Sequence, residues 1–255
     1  MSGRCLRQPN RGIAAARNAG LRAAQGDYIA LLDHDDLWYP NKLSLVMAEF
    51  ARHPEADLIC HNEAVSRDGR VLRTSRNGPS VPRMYERLLF VGNTLSPSAC
   101  VFKKAMALAI GGFREDPGLN TVEDYDFWMR LSQVARFHFI KQVLGVYRLV
   151  DRAASRRVAY HHDNLERLLR MHFATYFGEH PGLLARWAVR HRLSAVYRSA
   201  VTQLMAYHEH PEQQRAYVKR MLGTCPVEPR NLLCAAAWAL QILRGSIRQQ
   251  AETAG

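Results

Sequence analysis

In the first 150 residues, short runs of apolar residues alternate with segments in which apolar residues recur at helical spacing. Four short apolar runs, each bounded by polar residues, predict buried strands at 27–33, 56–61, 98–102 and 137–147. Apolar residues at helical spacing predict helices between them, at 10–24, 40–50 and 123–134. Because helices separate the strands, we predict an α/β fold, a three-layer sandwich with a mostly parallel sheet.

Two other stretches of the chain differ from this alternation. Residues 66–82 are rich in Arg, Gly, Ser and Pro, which indicates a hairpin or a mobile loop. From about Ser155 the apolar period becomes helical throughout, and 232–243 is apolar on nearly every side, as in a buried helix or one that contacts a partner. We therefore predict an α/β domain at 1–152 and an all-helical region at 153–255.

Composition excludes disorder, and two interpretations of the positive net charge remain. Hydrophobic residues make up 47% of the chain and charged residues 23%, enough to form a sizeable core. The net charge is +12, and 151–255 holds 15 Lys and Arg against 8 Asp and Glu. This scattered excess suits a solvated helical face or a peripheral contact with an anionic membrane. A nucleic-acid partner is not expected, since no helix-turn-helix, zinc finger or aromatic-basic pattern occurs.

Cysteine spacing bears on the compartment. The five cysteines are widely spaced and none forms a CxxC pair, which argues against a disulfide framework and against a zinc site, and fits a reducing compartment. Met1 is not followed by an apolar segment, and the longest apolar stretch is too short to span a bilayer. We expect a cytoplasmic protein, with the inner face of the membrane as a further location.

The run Asp33-His34-Asp35-Asp36 follows the first predicted strand. In open α/β sheets, ligands bind beyond the carboxyl ends of strands. Crowded carboxylates repel one another unless a cation joins them, and oxygen ligands suit Mg²⁺ or Mn²⁺. The alternative is that Asp36 only caps the next helix while the others lie in a solvated loop. The flanking strand and helix favour a metal and phosphate site.

Two further clusters carry candidate chemistry. Glu123 and Asp124 fall at a predicted helix start, where the helix dipole keeps carboxylates ionised, as a general base requires. Simple capping of that helix is the alternative. Arg17-Asn18 lies on the first helix, where an Arg suits a phosphate or a base edge.

In this order, the clusters resemble family 2 glycosyltransferases of the GT-A fold. The family pattern is N-x-G-x-x-x-A-R-N-x-G, then A-x-G-x-Y-I-x-x-L-D-x-D-D-x-x-x-P, then G-G-F-x-E/D and E-D-Y-D-x-W-x-R-L. The matching residues are Asn10, Gly12, Arg17-Asn18, Gly20, Ala24, Gly26, Tyr28-Ile29, Leu32-Asp33, Asp35-Asp36, Pro40, Gly111-Gly112-Phe113, Glu115, Glu123-Asp124-Tyr125-Asp126, Trp128 and Arg130-Leu131.

The resemblance implies roles for these residues. Asp33 and Asp35 would hold a divalent cation, Mg²⁺ or Mn²⁺, and with it a nucleotide-sugar donor, a UDP-, dTDP- or GDP-sugar with the base left open. Arg17 and Asn18 would bind the nucleotide part. Asp124, with Glu123 beside it, would deprotonate the acceptor hydroxyl, and the sugar would be transferred with inversion.

The same resemblance leaves two functions open. The first is sugar transfer to a glycan or lipid-linked acceptor in the assembly of a cell-surface polysaccharide. The second is a non-catalytic nucleotide-sugar binder, because the family begins with strands that would precede residue 8 here. We accordingly expect a GT-A domain without its first strands.

Overall fold

The structure is a computed structural model that describes residues 3–149, 154–207 and 210–253, with side chains described at 3–149, 158–207 and 210–243. The chain divides into two compact units, Met1–Arg152 and Ala153–Gly255. The predicted boundary between 152 and 153 lies outside the described residues.

The first unit contains the helices and strands that the hydrophobic pattern predicts. It also contains a strand at 37–38 and a helix at 84–90 that the pattern does not predict. Its helices are α1 (Ile13–Ala23), α2 (Lys42–Arg52), α3 (Met84–Phe90), α4 (Lys104–Ala109) and α5 (Glu123–Leu131). Its strands are β1 (Tyr28–Ala30), β2 (Leu37–Trp38), β3 (Leu58–Arg67), β4 (Arg70–Ser75), β5 (Cys100–Lys103) and β6 (Phe137–Arg148). The first helix starts later than expected, because Gly12 has φ 86° and ends the extended segment there.

The sheet is mixed, so the prediction of a mostly parallel sheet is wrong. The strand order is β1-β5-β3-β6-β2, with β4 paired to β3, and only the β3–β6 pair is parallel among the described strands. The crossover through α2 does give β1 and β3 the same direction. However, β5 lies between them and runs the opposite way, because the chain turns back through the β3–β4 hairpin before it enters β5.

Helices cover both faces of the sheet. On one face, Val46 and Phe50 of α2 pack against Ile59 of β3 and Val101 of β5. Successive strand residues point to opposite faces. Phe102 therefore points the other way, and its ring lies 5.3 Å from that of Phe127 in α5. The α/β fold with helices on both faces agrees with the sequence pattern.

The second unit is helical, as its hydrophobic period predicts. Its helices are α6 (Ala154–Phe177), α7 (Leu183–Ala206), α8 (Pro211–Thr224) and α9 (Pro229–Thr253). The predicted apolar face of α7 is buried, including Val196 and Leu204. By contrast, Leu233 and Leu240 of α9 are exposed, so 232–243 is not a buried helix. The partner-contact interpretation of that stretch stays a prediction.

Within the described parts of the chain, each helix is too short or too polar to cross a membrane.

Candidate active site

The acidic run forms a tight turn beyond β1. The backbone N–H of Asp33 donates to Oγ of Ser98 at 3.0 Å, and the N–H of Asp36 donates to the carbonyl of Asp33 at 3.1 Å. The turn is thereby held against the segment that enters β5. The side chains of Asp33 and Asp35 remain partly accessible.

Asp36 does not cap the next helix. Its Oδ1 accepts from the backbone N–H of Arg148 at 3.0 Å, whereas α2 begins after Asn41 without a side-chain capping bond. Burial raises the pKa of Asp36, with a further contribution from the charges of Asp35 and Asp33. Asp36 therefore joins the acidic turn to the end of β6.

Arg17 connects the acidic turn to the second acidic cluster. One guanidinium nitrogen lies 2.9 Å from Oδ1 of Asp33, and the other lies 2.8 Å from Oε1 of Glu123. The side chains of Arg17 and Glu123 are 9% and 6% exposed, so both charges are largely removed from water. The three clusters expected from the sequence thus meet at one place in the fold.

Asp124 lies next to this ion pair in the first turn of α5. Burial and the negative charge of Glu123 together raise its pKa to about 7, against the positive charge of Arg17, which acts in the opposite direction. Its Oδ1 accepts from the N–H of Tyr125 at 2.8 Å. A carboxyl group that titrates near neutral pH is well matched to proton transfer.

Asn18 has all its amide groups engaged within the protein. Its Oδ1 accepts from the N–H of Phe113 at 2.8 Å, and its Nδ2 donates to the carbonyl of Phe113 at 2.8 Å and to Glu115 at 2.9 Å. These contacts fasten α1 to the Gly-Gly-Phe turn. Its assignment to the nucleotide stays a prediction, and the geometry points to a positioning role.

The second half of the Glu-Asp-Tyr-Asp motif supports the same turn. Asp126 is fully buried and pairs with Arg114 at 3.1 Å and with Arg130 at 2.7 Å. Arg130 also donates to the carbonyls of Ile110 and Gly112, at 2.9 and 2.8 Å. The motif therefore combines two carboxylates beside Arg17 with a buried ion pair that supports the Gly-Gly-Phe turn.

Sequence reasoning missed the buried charges beneath the acidic turn. Nζ of Lys42 donates to the carbonyl of Ser98 at 2.6 Å and lies 3.9 Å from the centre of the Trp38 ring. Burial lowers the pKa of Lys42 to about 8 and raises that of Glu63 to about 7. No local pattern marks these residues, because Lys42 occupies an ordinary first-turn position and Glu63 lies within a strand.

The free carboxylate oxygens fit a hard divalent cation. Within the described part of the chain, the carboxylate of Asp35 makes no hydrogen bond, and Asp33 uses only one oxygen on Arg17. Mg²⁺ and Mn²⁺ take such oxygen ligands together with phosphate oxygens. A cleft of about 330 Å³ opens beside Arg17, bordered by β1 and Phe113.

Part of the chain matches a known protein family. Residues 3–109 match the model of glycosyl transferase family 2. The resemblance to family 2 glycosyltransferases that the sequence motifs indicate is thereby confirmed. The match includes Arg17 and the acidic turn, whereas Glu123 and Asp124 lie beyond it.

Individual relatives extend the likeness. The chain is 31% identical over 180 residues to an uncharacterised protein of Sinorhizobium fredii, covering 68% of this chain and 19% of that protein. It is 32% identical over 146 residues to a hyaluronan synthase of Pasteurella multocida, covering 55% of this chain and 14% of that one. The chain spans between 19% and 27% of the length of the first three curated relatives.

A solved structure shows the same fold. TarS 1–349 of S. aureus in complex with UDP aligns with a TM-score of 0.55 and 17% identity, covering 94% of this chain and 72% of that one. The prediction of a GT-A-like α/β fold with C-terminal helices is confirmed, apart from the mixed sheet. The expectation that the first strands are missing stays a prediction.

Replacement of Gly112 by Ala tests the contact between α1 and the Gly-Gly-Phe turn. Gly112 has φ +71°, and an added Cβ would lie 2.5 Å from Oδ1 of Asn18. We expect Gly112→Ala to lower the free energy of unfolding by at least about 1–2 kcal/mol in urea denaturation. Gly20→Ala is the control, since nothing lies within 4 Å there and Ala favours a helix. Equal stability of the two variants would contradict the assigned contact.

Replacement of Asp124 by Asn tests its raised pKa. The folded chain keeps this carboxyl protonated up to about pH 7, whereas its ordinary value is 3.8. The folded state thus binds more protons between these values, and this group lowers the free energy of unfolding as pH rises. Urea denaturation at pH 5 and pH 8 should show Asp124→Asn gaining stability relative to the wild type at the higher pH.

The exposed carboxyl of Asp27 provides the control for this comparison, as Asp27→Asn. A difference between wild type and Asp124→Asn that stays the same at both pH values would refute the raised pKa.

Proposed function

We propose that this chain binds a nucleotide-diphosphate sugar at Arg17, Asp33 and Asp35 and transfers its sugar, with inversion, to an acceptor hydroxyl deprotonated by Asp124. The observation that supports this most directly is the double ion pair of Arg17. It places the acidic turn and the first turn of α5 on either side of one guanidinium, at 2.9 and 2.8 Å.

The donor side of the site follows from its charges. Asp35 and the second oxygen of Asp33 would hold a divalent cation, which would offset the charge that builds on the departing diphosphate. Arg17 supplies a permanent cation at the same place. The cleft of about 330 Å³ beside Arg17 is large enough for part of a nucleotide.

The acceptor side depends on Asp124. Its carboxylate accepts the hydroxyl proton as the new sugar bond forms, so the acceptor oxygen need not ionise beforehand. A pKa of about 7 leaves a useful fraction of Asp124 both unprotonated and basic at neutral pH. Glu123, next to Asp124, pairs with Arg17. This ion pair keeps the donor-binding residues and the acceptor-binding residue at fixed positions relative to each other.

The class of substrate is proposed from the relatives. A hyaluronan synthase and two chondroitin synthases share 28% to 32% identity with this chain over 143 to 146 residues. These names refer to the assembly of polysaccharides. We extend the class, a sugar added to a glycan or lipid-linked acceptor, to this chain without specifying the sugar.

Calorimetry with UDP and Mn²⁺ tests the donor site. We expect saturable binding that requires Mn²⁺ and is lost in Asp35→Ala, because that carboxylate supplies a free metal ligand. Asp27→Ala, which removes an exposed carboxylate before β1, should bind as the wild type does. Unchanged Mn²⁺-dependent affinity in Asp35→Ala would refute the assignment.

Asp124→Asn separates a transferase from a non-catalytic binder. The Asn variant should bind UDP and Mn²⁺ normally and should lose at least about 100-fold in release of UDP from UDP-sugars, since a general base contributes about 10²–10⁴-fold. A wild-type chain that binds UDP but neither transfers nor hydrolyses any sugar would instead support the binder alternative.

A membrane contact by the helical unit is proposed from its surface. Leu183, Leu184 and Trp187 in the first turns of α7 are 83%, 86% and 61% exposed. Val227, which precedes α9, lies at the same end of the unit, because His191 pairs with Glu228 at 3.4 Å. Exposed apolar side chains beside Arg residues suit an anionic membrane surface, where a lipid-linked acceptor would also reside.

Flotation with phosphatidylcholine vesicles, with and without phosphatidylglycerol, tests this contact. We expect binding that requires the anionic lipid and falls at least about tenfold in Leu184→Ala/Trp187→Ala, since a buried Leu or similar side chain contributes about 1.5–3 kcal/mol. Leu72→Ala removes an exposed apolar side chain from β4 and should have no effect. Equal binding of both variants would contradict the proposal.

A further inference from the structure

Two histidines and a carboxylate meet at the amino ends of β3 and β6. We propose that Glu49, His53 and His138 bind a transition-metal ion, for which Zn²⁺ is the best suited. The place is remote from the carboxylate site, because Asp36 contacts Arg148 at the other end of β6. At a rise of about 3.3 Å per residue, roughly 30 Å of strand separates the two ends.

The backbone holds the three residues in place before any ion arrives. Glu49 and His53 lie four residues apart on α2 and its C-cap, so their side chains share one helical face. His138 is the second residue of β6 and lies opposite the start of β3. The N–H of Asp57 donates to the carbonyl of Arg136 at 2.8 Å, and the carboxylate of Asp57 accepts from the N–H of Arg136 at 3.0 Å. These bonds join the two segments next to both histidines.

The distances suit ligands around an ion better than they suit hydrogen bonds. Nε2 of His53 lies 3.9 Å from Oε2 of Glu49, too far for a hydrogen bond. The ring of His138 lies 4.0 Å from that of His53, and one ligand atom from each of the three residues falls within 4.8 Å of the others. Tetrahedral Zn²⁺, with bonds of about 2.0–2.2 Å, separates its ligand atoms by roughly 3.4 Å, so the site closes when the two rings turn from their stacked arrangement and direct one nitrogen each at the ion.

One neighbouring carboxylate is placed as a metal-bound His53 requires. Nδ1 of His53 lies 3.3 Å from Oε1 of Glu55, which orients the ring and leaves Nε2 for the ion. Histidines that bind zinc typically donate their other ring N–H to a carboxylate in this way. The first oxygen of Glu49 is taken by Arg52 at 2.6 Å, which leaves Oε2 directed toward His53.

The donor set distinguishes this ion from the one proposed at Asp33 and Asp35. Two imidazole nitrogens and one carboxylate oxygen favour Zn²⁺ over Mg²⁺, which prefers oxygen ligands alone. Three protein ligands leave a fourth position for water. The bound ion would link the end of α2 to β6 and would stabilise the folded chain in proportion to its affinity.

Calorimetry with ZnCl₂ on the tag-free full chain tests this site. We expect one saturable Zn²⁺ site that Mg²⁺ does not occupy, together with a higher melting temperature in Zn²⁺. His53→Ala and His138→Ala should each weaken Zn²⁺ binding at least about 100-fold, and Glu55→Ala about tenfold, because outer carboxylates typically contribute 10–100-fold.

Two control variants make the outcome decisive. His180→Ala removes an exposed histidine from the loop before α7 and should bind Zn²⁺ as the wild type does. Asp35→Ala should also keep the site, which separates this proposal from the proposed donor site. Zn²⁺ affinity that is unchanged in His53→Ala and His138→Ala, or that is lost in Asp35→Ala, would overturn the assignment.

Discussion

The structure of the site depends on one largely buried guanidinium. Arg17 balances Asp33 and Glu123, two carboxylates that come from segments 16 and 106 residues away. An ion pair removed from water is stable only while every charge keeps its partner. The same cation lies beside Asp124 and limits the rise in its pKa that burial would otherwise cause. Arg17 thus determines both the geometry and the electrostatics of the candidate active site.

A second set of contacts keeps Arg17 in place. Asn18, the next residue along α1, hydrogen-bonds both the backbone N–H and the carbonyl of Phe113. Glycine is the only residue type that fits at position 112 beside Asn18. The backbone φ of Gly112 is positive, and an added Cβ would lie 2.5 Å from Oδ1 of Asn18. Arg130 then fastens this turn to α5. Motif residues without a role in chemistry therefore position those that have one.

The two ends of the parallel pair β3–β6 carry different donor atoms. Near the carboxyl end, the acidic turn offers oxygen ligands and lies over a buried lysine, so it suits a hard cation with phosphates. At the amino end, His53 and His138 add nitrogen ligands beside Glu49 and suit a borderline ion. This difference would allow one domain to bind the two proposed ions without exchange between them.

The sequence alone determined the kinds of element, the order of the motifs and the residues that hold the charges. Apolar residues that recur about every 2 residues indicate a strand, and those that recur about every 3.6 residues indicate a helix. The clusters at Arg17, Asp33 and Glu123-Asp124 match the family pattern. The tertiary structure decided the direction of β5, the binding of Asn18 to Phe113, the burial of Lys42 and the exposure of α9. All four features depend on which distant segments of the chain become neighbours. The spacing of apolar residues shows only that one face of an element is apolar, and it does not show which segment covers that face.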